Sequence, residues 1–406
     1  MSTDIQATLS LSGFAKGPVL AWRSLAPAGK PTLPCVGDLR YQARTSSGRA
    51  ALYAALKQMQ LAPGSAVLVP SYHCPTMVAP VLQAGLIPAF YPIGPDGLPL
   101  LSAMPPADKQ HHGAMIVAHL FGITRSLSAV HEWCKSRAIR LIEDCAHSYF
   151  GWAGDRPVGQ WGDYATASLT KFFPVGEAGL LASAHHTLQP LELTFAGLRT
   201  QIKGMIDVVE LSRQYGELAG ITHLAAPLLK LKNGIAKTSA ANVAATHTNV
   251  EIVDPEGCGL RFMLRQCDMA RTGQRATLFA AALHRWLPSE PAVKRRQANH
   301  RALTQGLFDA RGARPLFGPA PDQTAPYAMP LLIDSAGRAD RVYTAMREAK
   351  LPVFRWDRLW PGTPSLAEDS GTAWRRKVLQ LLCHQSLSFA EIASICRQTH
   401  LILNKI

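Results

Sequence analysis

Ala167-Ser168-Leu169-Thr170-Lys171-Phe172-Phe173-Pro174-Val175-Gly176-Glu177-Ala178-Gly179 is an apolar run closed by glycines, with one lysine inside it. An ammonium entering an apolar pocket is costly, so such a lysine is paired, neutralised or used covalently. The alternative is a surface lysine whose stem lies on apolar neighbours while its amine reaches water. Upstream stands Leu141-Ile142-Glu143-Asp144-Cys145-Ala146-His147, a short apolar strand ending in an acid. Outward from these two stretches, Ala66 to Pro70, Ile87 to Tyr91, Gly113 to His119 and Arg140 to Glu143 read as strands. Ala50, Leu52, Ala55, Leu56 and Met59 keep helical spacing, Met77 to Ala84 reads as a helix capped by Gly85, and Ser126 to Ala138 as another. Nearly continuous apolar strands alternating with helices predict an α/β fold with a mostly parallel central sheet covered on both faces.

Ala165 to Leu169 and Gly179 to Ser183 read as two further strands around Lys171. Leu191 to Lys232 is mainly helical in pattern, and Asn233 to Cys258 is polar and reads as loop. Helical spacing resumes over Arg261 to Trp286 and again over Val293 to Phe308, with a break near Pro288 and Pro291. After Gly312 the pattern becomes strand (Ala328 to Ile333), helix (Ala336 to Ala349) and strand (Leu351 to Trp356). Ser388-Phe389-Ala390-Glu391 is a capping box opening a last helix to Leu403. The expected organisation is an irregular Pro/Gly/Ser-rich arm over residues 1–40, a large domain over 41–290 and a smaller C-terminal α/β domain over 291–406.

The chain has 406 residues, 47% of them hydrophobic, which suffices for one large two-part enzyme or for two to three ordinary domains. It has no uninterrupted apolar run of about 18 residues, so no membrane span is expected. Met1-Ser2-Thr3-Asp4-Ile5-Gln6 lacks the basic-then-apolar order of a signal peptide, and none of the 8 cysteines forms a C-x-x-C pair. Both features fit a cytoplasmic protein with reduced thiols. Lys plus Arg number 42 against 28 acids, a net charge of +14, which favours anionic partners. The basic residues are spread along the chain with no zinc-finger, RNP or helix-turn-helix pattern beside them, so nucleic acid is not expected.

An acid at a strand's carboxyl end and a lysine beyond the next strand suggest a pyridoxal 5'-phosphate (PLP) site. There the lysine takes the cofactor as an imine and the acid pairs with the pyridine nitrogen. Asp144 is the candidate acid, with turn capping as its ordinary alternative; His147, three residues on, is a candidate to reach a bound ring's oxygen, with an ordinary surface or core histidine as its alternative. Thr45-Ser46-Ser47-Gly48-Arg49 puts hydroxyls and a glycine at a helix start, where free N–H groups and the helix dipole favour phosphate. A serine there also serves simply as an N-cap. Ser168 offers a further hydroxyl beside Lys171. No metal site is expected.

Together these blocks resemble the DegT/DnrJ/EryC1/StrS family of PLP-dependent sugar aminotransferases, of fold type I. Ser47-Gly48-Arg49-Ala50-Ala51-Leu52 is similar to the family's Ser-Gly-Thr-Ala-Ala-Leu, and Pro63 to Tyr72 to its Pro-Gly-Asp-Glu-Val-Ile-Val-Pro-Ser-Phe. Ala84 to Phe90, His119-Leu120-Phe121-Gly122, Ile142 to His147, Gly159 to Asp163 and Ser168…Lys171…Gly176…Gly179 follow in the family's order. Good matching covers residues 45–183; Arg295 to Asn299 and His384 to Leu387 resemble the family only loosely. Arg49 stands in place of threonine, Cys74 in place of a ring-stacking aromatic and Ala178 in place of glycine, and Asp163 to Lys171 is two residues shorter than usual. Gly259-Leu260-Arg261-Phe262-Met263 occupies the place of an Asn-Tyr-Arg motif.

The resemblance implies that Lys171 holds PLP and acts as acid–base group, with Asp144 at the pyridine nitrogen. It implies that Ser47, Gly48, Arg49, Ser168 and His147 contact the cofactor, and that Tyr72 or His73 stands in for the missing aromatic. It further implies an amino-acid donor, glutamate by expectation, an anionic nucleotide-linked keto sugar as acceptor, and a homodimer. A PLP lyase or dehydratase on the same scaffold, or a non-enzymatic descendant, is the alternative; the retained Lys171 speaks against the family's dehydratases, which carry histidine there.

Overall fold

The computed structural model describes residues 13–26, 31–105, 112–220, 267 and 269–406. The main sheet has seven strands: β1 (Tyr41–Thr45), β2 (Ala66–Pro70), β3 (Ile87–Tyr91), β4 (His112–Ala118), β5 (Arg140–Asp144), β8 (Tyr164–Ser168) and β9 (Gly179–Ser183). A hairpin, β6 (Trp152–Ala153) and β7 (Arg156–Pro157), lies between β5 and β8 in sequence. The order across the sheet is β1-β9-β8-β5-β4-β2-β3. From β3 to β8 every pairing is parallel; β9 alone runs against its neighbours.

The strands are apolar on both sides because both faces are covered. Along β4, Ala114 and Ile116 point to one face, with α1 (Gly48–Gln58) and α2 (Pro75–Gln83). Met115 and Val117 point to the other, where Val130 and Cys134 of α3 (Ser128–Lys135) pack. The period of two along a strand makes this division. Each helix begins and ends where its sequence permits: Ser47 Oγ accepts from Ala50 N–H at the start of α1, and Gly85 after α2 takes φ +75°.

Beyond the sheet come α4 (Leu198–Gln214), α5 (Leu278–Trp286) and α6 (Glu290–Gly306). A second, antiparallel sheet has the order β10 (Ala313–Pro315), β11 (Ala328–Ile333), β13 (Val378–Leu382), β12 (Val353–Phe354). It packs with α7 (Ala336–Glu348) and α9 (Phe389–Lys405) around Leu331, Ile333, Val342, Leu379, Leu381 and Ile395. Ser388 and Glu391 close the capping box at α9. The chain is therefore α/β, as its alternation predicts.

Three readings need correction or completion. Residues 269–277 do not continue a helix: Gln274 C=O accepts from Ser46 N–H, and Thr194 pairs with Gly273 and Arg275, so their backbone groups are spent on neighbouring segments. Thr277 then N-caps the short α5. The strand expected over Leu351 to Trp356 pairs only at Val353 and Phe354. Its partner β13, a central strand, follows α8 (Ser370–Lys377) directly, with no glycine or proline to mark the change. The loop read over Asn233 to Cys258 and the Gly259 to Met263 stretch lie outside the described residues.

Candidate active site

The carboxyl ends of the parallel strands open onto one cavity of about 540 Å³, the usual place for a ligand in such a sheet. β5 ends in Asp144, β8 in Ser168, and the segment after β2 brings Cys74. The start of α1 adds Ser47, Gly48 and Arg49, and His147 and Lys171 complete the lining from this side. Tyr327, Phe354, Trp356 and Gln380 close it from the second sheet.

Lys171 sits in a 3-10 turn, Leu169–Lys171, that follows β8 at once. Burial holds its ammonium below the usual lysine range, against the opposing pull of Cys74 and Asp144. Its Nζ lies 5.1 Å from the centre of the Tyr327 ring, and among the described residues no carboxylate forms an ion pair with it. Asp144 Oδ1 accepts from Ala146 N–H at 2.9 Å and from Thr166 Oγ1 at 3.4 Å, and no hydrogen bond to Oδ2 is found among the described residues. Burial raises the Asp144 carboxyl, and the Ala146 N–H, Lys171, Thr166 and His119 offset only part of the rise. A half-buried carboxyl whose second oxygen accepts no hydrogen bond among the described residues is a seat for a cationic N–H.

His147 is buried and stacks on Tyr327 at 4.2 Å with the planes 21° apart. Its Nδ1 accepts from Phe121 N–H at 3.3 Å, which leaves the ring proton on Nε2. Burial, then the charge of Lys171, keep the imidazole neutral well below the ordinary histidine range.

At the α1 end, Gly48 meets Ser168 so closely that a Cβ would lie 3.0 Å from the serine Cβ. A Cβ at Gly179 would collide with the Ser47 backbone. These glycines let the helix start, Ser168 and Thr170 converge, and Ser168 Oγ bonds Thr170 Oγ1 at 3.2 Å. Arg49 bonds Glu177 at 2.6 Å, and Arg271 meets the other oxygen of the same carboxylate at 2.9 Å. The residues fit PLP: an oxyanion cup at Ser47, Gly48, Arg49 and Ser168, an acid for the ring nitrogen, and an amine of lowered basicity.

Two expected ring contacts are not in the cavity. Tyr72 is fully buried behind it, packed on Trp356 and Trp374, with its hydroxyl accepting from Gln380 Nε2 at 3.3 Å. His73 turns the other way, bonding Pro70 O at 2.9 Å and stacking on Phe90. After β2 the chain leaves the strand geometry, and Cys74, Thr76 and Met77 are the residues of this segment that line the cavity. Tyr327, Trp356, Gln380 and Arg271 were invisible to sequence reading, since they sit in no motif and arrive from distant segments; Glu177 lies within the Lys171 stretch but was given no role there.

Beneath the cavity, His119 Nε2 donates to Glu143 Oε1 at 2.8 Å, and the N–H groups of Gly159, Trp161 and Gly162 also donate to this carboxylate. Burial pushes the Glu143 carboxyl up, but these donors outweigh it and hold it below the usual range. His119, Glu143 and Cys145 have metal-ligand atoms within 4.8 Å of one another. The donors already on the carboxylate give the cluster a structural explanation.

Residues 36–199 match the DegT/DnrJ/EryC1/StrS aminotransferase family. Protein MosB of Rhizobium meliloti is 32% identical over 152 residues, 36% of this chain and 30% of that protein. GDP-perosamine synthase of Vibrio cholerae is 25% identical over 148 residues, 36% of this chain and 40% of its own length. These matches thus span less than half of either relative. The NtdA structure from Bacillus subtilis with bound cofactor PMP is 13% identical, covers 90% of this chain and 74% of that one, and superposes with a TM-score of 0.56, which shows a shared fold. Residues 36–199, the segment that builds the sheet side of the cavity, are thus similar in sequence to the DegT/DnrJ/EryC1/StrS aminotransferases.

Proposed function

We propose that this chain is a PLP-dependent aminotransferase that moves an amino group from an amino acid, glutamate by expectation, to a nucleotide-linked keto sugar. The observation that carries the reading is that Asp144, whose Oδ2 accepts no hydrogen bond among the described residues, and Lys171, with its lowered basicity, line one cavity beside the α1 start. Bound PLP supplies an electron sink for the pair left when a Cα–H bond breaks. Lys171 would hold the cofactor through its amine and, once the donor's amine has displaced it, would take and return the proton at the substrate Cα. Asp144 keeps a proton on the pyridine nitrogen. Ser47, Gly48, Arg49 and Ser168 hold the phosphate, and the neutral His147 offers its Nε2–H to a ring oxygen. The match to GDP-perosamine synthase and the +14 charge support an anionic sugar acceptor.

The same reading makes the protein a cytoplasmic homodimer, with an arm over residues 1–40 and domains over 41–290 and 291–406. Among the described residues no helix is long and apolar enough to cross a membrane.

The test is spectroscopic. Purified protein given PLP should show a visible band, and borohydride should fix the cofactor on the peptide carrying Lys171. Glutamate should convert the band to that of the pyridoxamine form. In Lys171→Ala the fixed adduct should vanish while the protein stays folded; an adduct on another lysine defeats the assignment. A visible band that no amino acid converts would point to the lyase alternative, and no band at all to a non-enzymatic descendant.

A further inference from the structure

Arg296 is wholly buried, yet among the described residues no carboxylate pairs with it. A guanidinium in that position is expensive unless its N–H groups are all used. Each of its three nitrogens donates to an uncharged oxygen: Nη2 to Lys171 O at 2.5 Å, Nη1 to Pro326 O at 3.2 Å and Nε to Gln385 Oε1 at 2.8 Å. Its plane also covers the Phe172 ring at 4.3 Å. Gln385 uses its amide on the next carbonyl of the same turn, Phe172 O, at 2.6 Å.

Those two carbonyls need outside donors for a local reason. The 3-10 turn at Lys171 would offer the lysine carbonyl to the N–H of residue 174, but residue 174 is proline. Val175 N–H is turned to Phe173 O at 2.8 Å. The turn therefore ends with orphan acceptors, which α6 and the segment before α9 satisfy. Arg296 at the same time grips the residue before Tyr327, whose ring lies beside Lys171 Nζ and stacks on His147.

We propose that Arg296 and Gln385 are positioning residues for Lys171: they fix the lysine's backbone against the aromatic wall that faces its amine, leaving the side chain free to swing. Neither residue touches the cavity's contents; they act through the turn. This extends the proposed function by naming what holds its central residue in place, and it rests on that reading only for the catalytic consequence.

The geometry itself is testable without turnover. The groups facing Lys171 Nζ are Asp144, Cys74, His147 and Tyr327, and none is altered by the variants used. The pH midpoint of Lys171 is measured on the purified full chain, before PLP is added, by mass spectrometry after brief acetylation across a pH series. In Gln385→Met and in Arg296→Lys, which keeps the charge but cannot span the three acceptors, the turn loosens and the amine gains water. Its midpoint should rise by about half a pH unit or more. With PLP and donor present, kcat should fall about tenfold while KM for the donor stays within about twofold.

Asn299→Ala is the control. Asn299 lies on the same helix and ties the carbonyls of Cys383, His384 and Leu387, so its loss should lower Tm without moving the Lys171 midpoint. An unchanged midpoint in both clamp variants, or an equal shift in Asn299→Ala, overturns the proposal. Should Arg296→Lys fail to fold, Gln385→Met decides alone. A shifted midpoint in a protein that takes up no PLP would leave the clamp standing and defeat the aminotransferase reading instead.

Discussion

Glu143 and Asp144 are chain neighbours that lie in opposite environments. Alternation along β5 turns Glu143 into the protein beneath the cavity, where His119 and three backbone N–H groups surround it. Asp144 emerges at the strand end into the cavity, with one oxygen free of protein donors among the described residues. One acid is used up by the fold, and the other is kept available.

Asp144→Asn should still bind PLP and lose most activity. An amide cannot hold the ring nitrogen's proton, and a buried charge-assisted hydrogen bond is worth about 1.5–3 kcal/mol. The expected loss in kcat is therefore about tenfold or more, at about 1.36 kcal/mol per factor of ten. Wild-type turnover in this variant would remove Asp144 from the mechanism.

Glu143→Ala should instead be a stability variant. It leaves the His119 N–H and three backbone N–H groups without their acceptor, and each unsatisfied buried donor costs about 1–3 kcal/mol. The carboxyl is held below its ordinary 4.5, so its contribution is present above that pH and disappears as pH falls through the folded value. Chemical denaturation across a pH series below 7 checks both statements: the variant's deficit should be largest near pH 7 and shrink as pH falls below 4.5.

Acid should weaken the fold well before its carboxylates titrate. Burial lowers His73 and His384 to about 3 and His300 to about 4. The unfolded chain takes up these protons near 6.5 and the folded one does not, so stability falls as pH drops below 6.5. Each such histidine costs about 1.4 kcal/mol per pH unit in that window. His300→Leu should flatten the slope of unfolding free energy between about pH 4 and 6 by that amount; an unchanged slope would mean that His300 is protonated in the fold.

The acceptor's KM should rise with salt. Forty-two basic residues against 28 acids draw an anionic ligand, and screening shortens to about 8 Å near 0.15 M salt. Uridine or thymidine diphosphate should compete with the acceptor. A salt-independent KM with no inhibition by either would remove the nucleotide sugar and leave the amino transfer standing.

Much of this site is local, and so legible. Hydrophobic period set the strands that present Asp144 and Ser168. Ser47 and Gly48 mark a helix start within a few residues, and Lys171 is conspicuous because its neighbours are apolar. Each is a property of a short window, fixed by propensity and burial pattern. Three-dimensional packing decided what no window contains. Tyr72 and His73 face away from the cavity because side-chain direction after β2 depends on what packs behind. Tyr327, Trp356 and Gln380 arrive from a sheet more than 150 residues later in the chain. The strand β13 needed partners to declare itself, since a lone apolar pentapeptide fits helix or strand equally. The role of Arg296 rests on a proline that withholds one N–H and a guanidinium folded in from far along the chain to replace it.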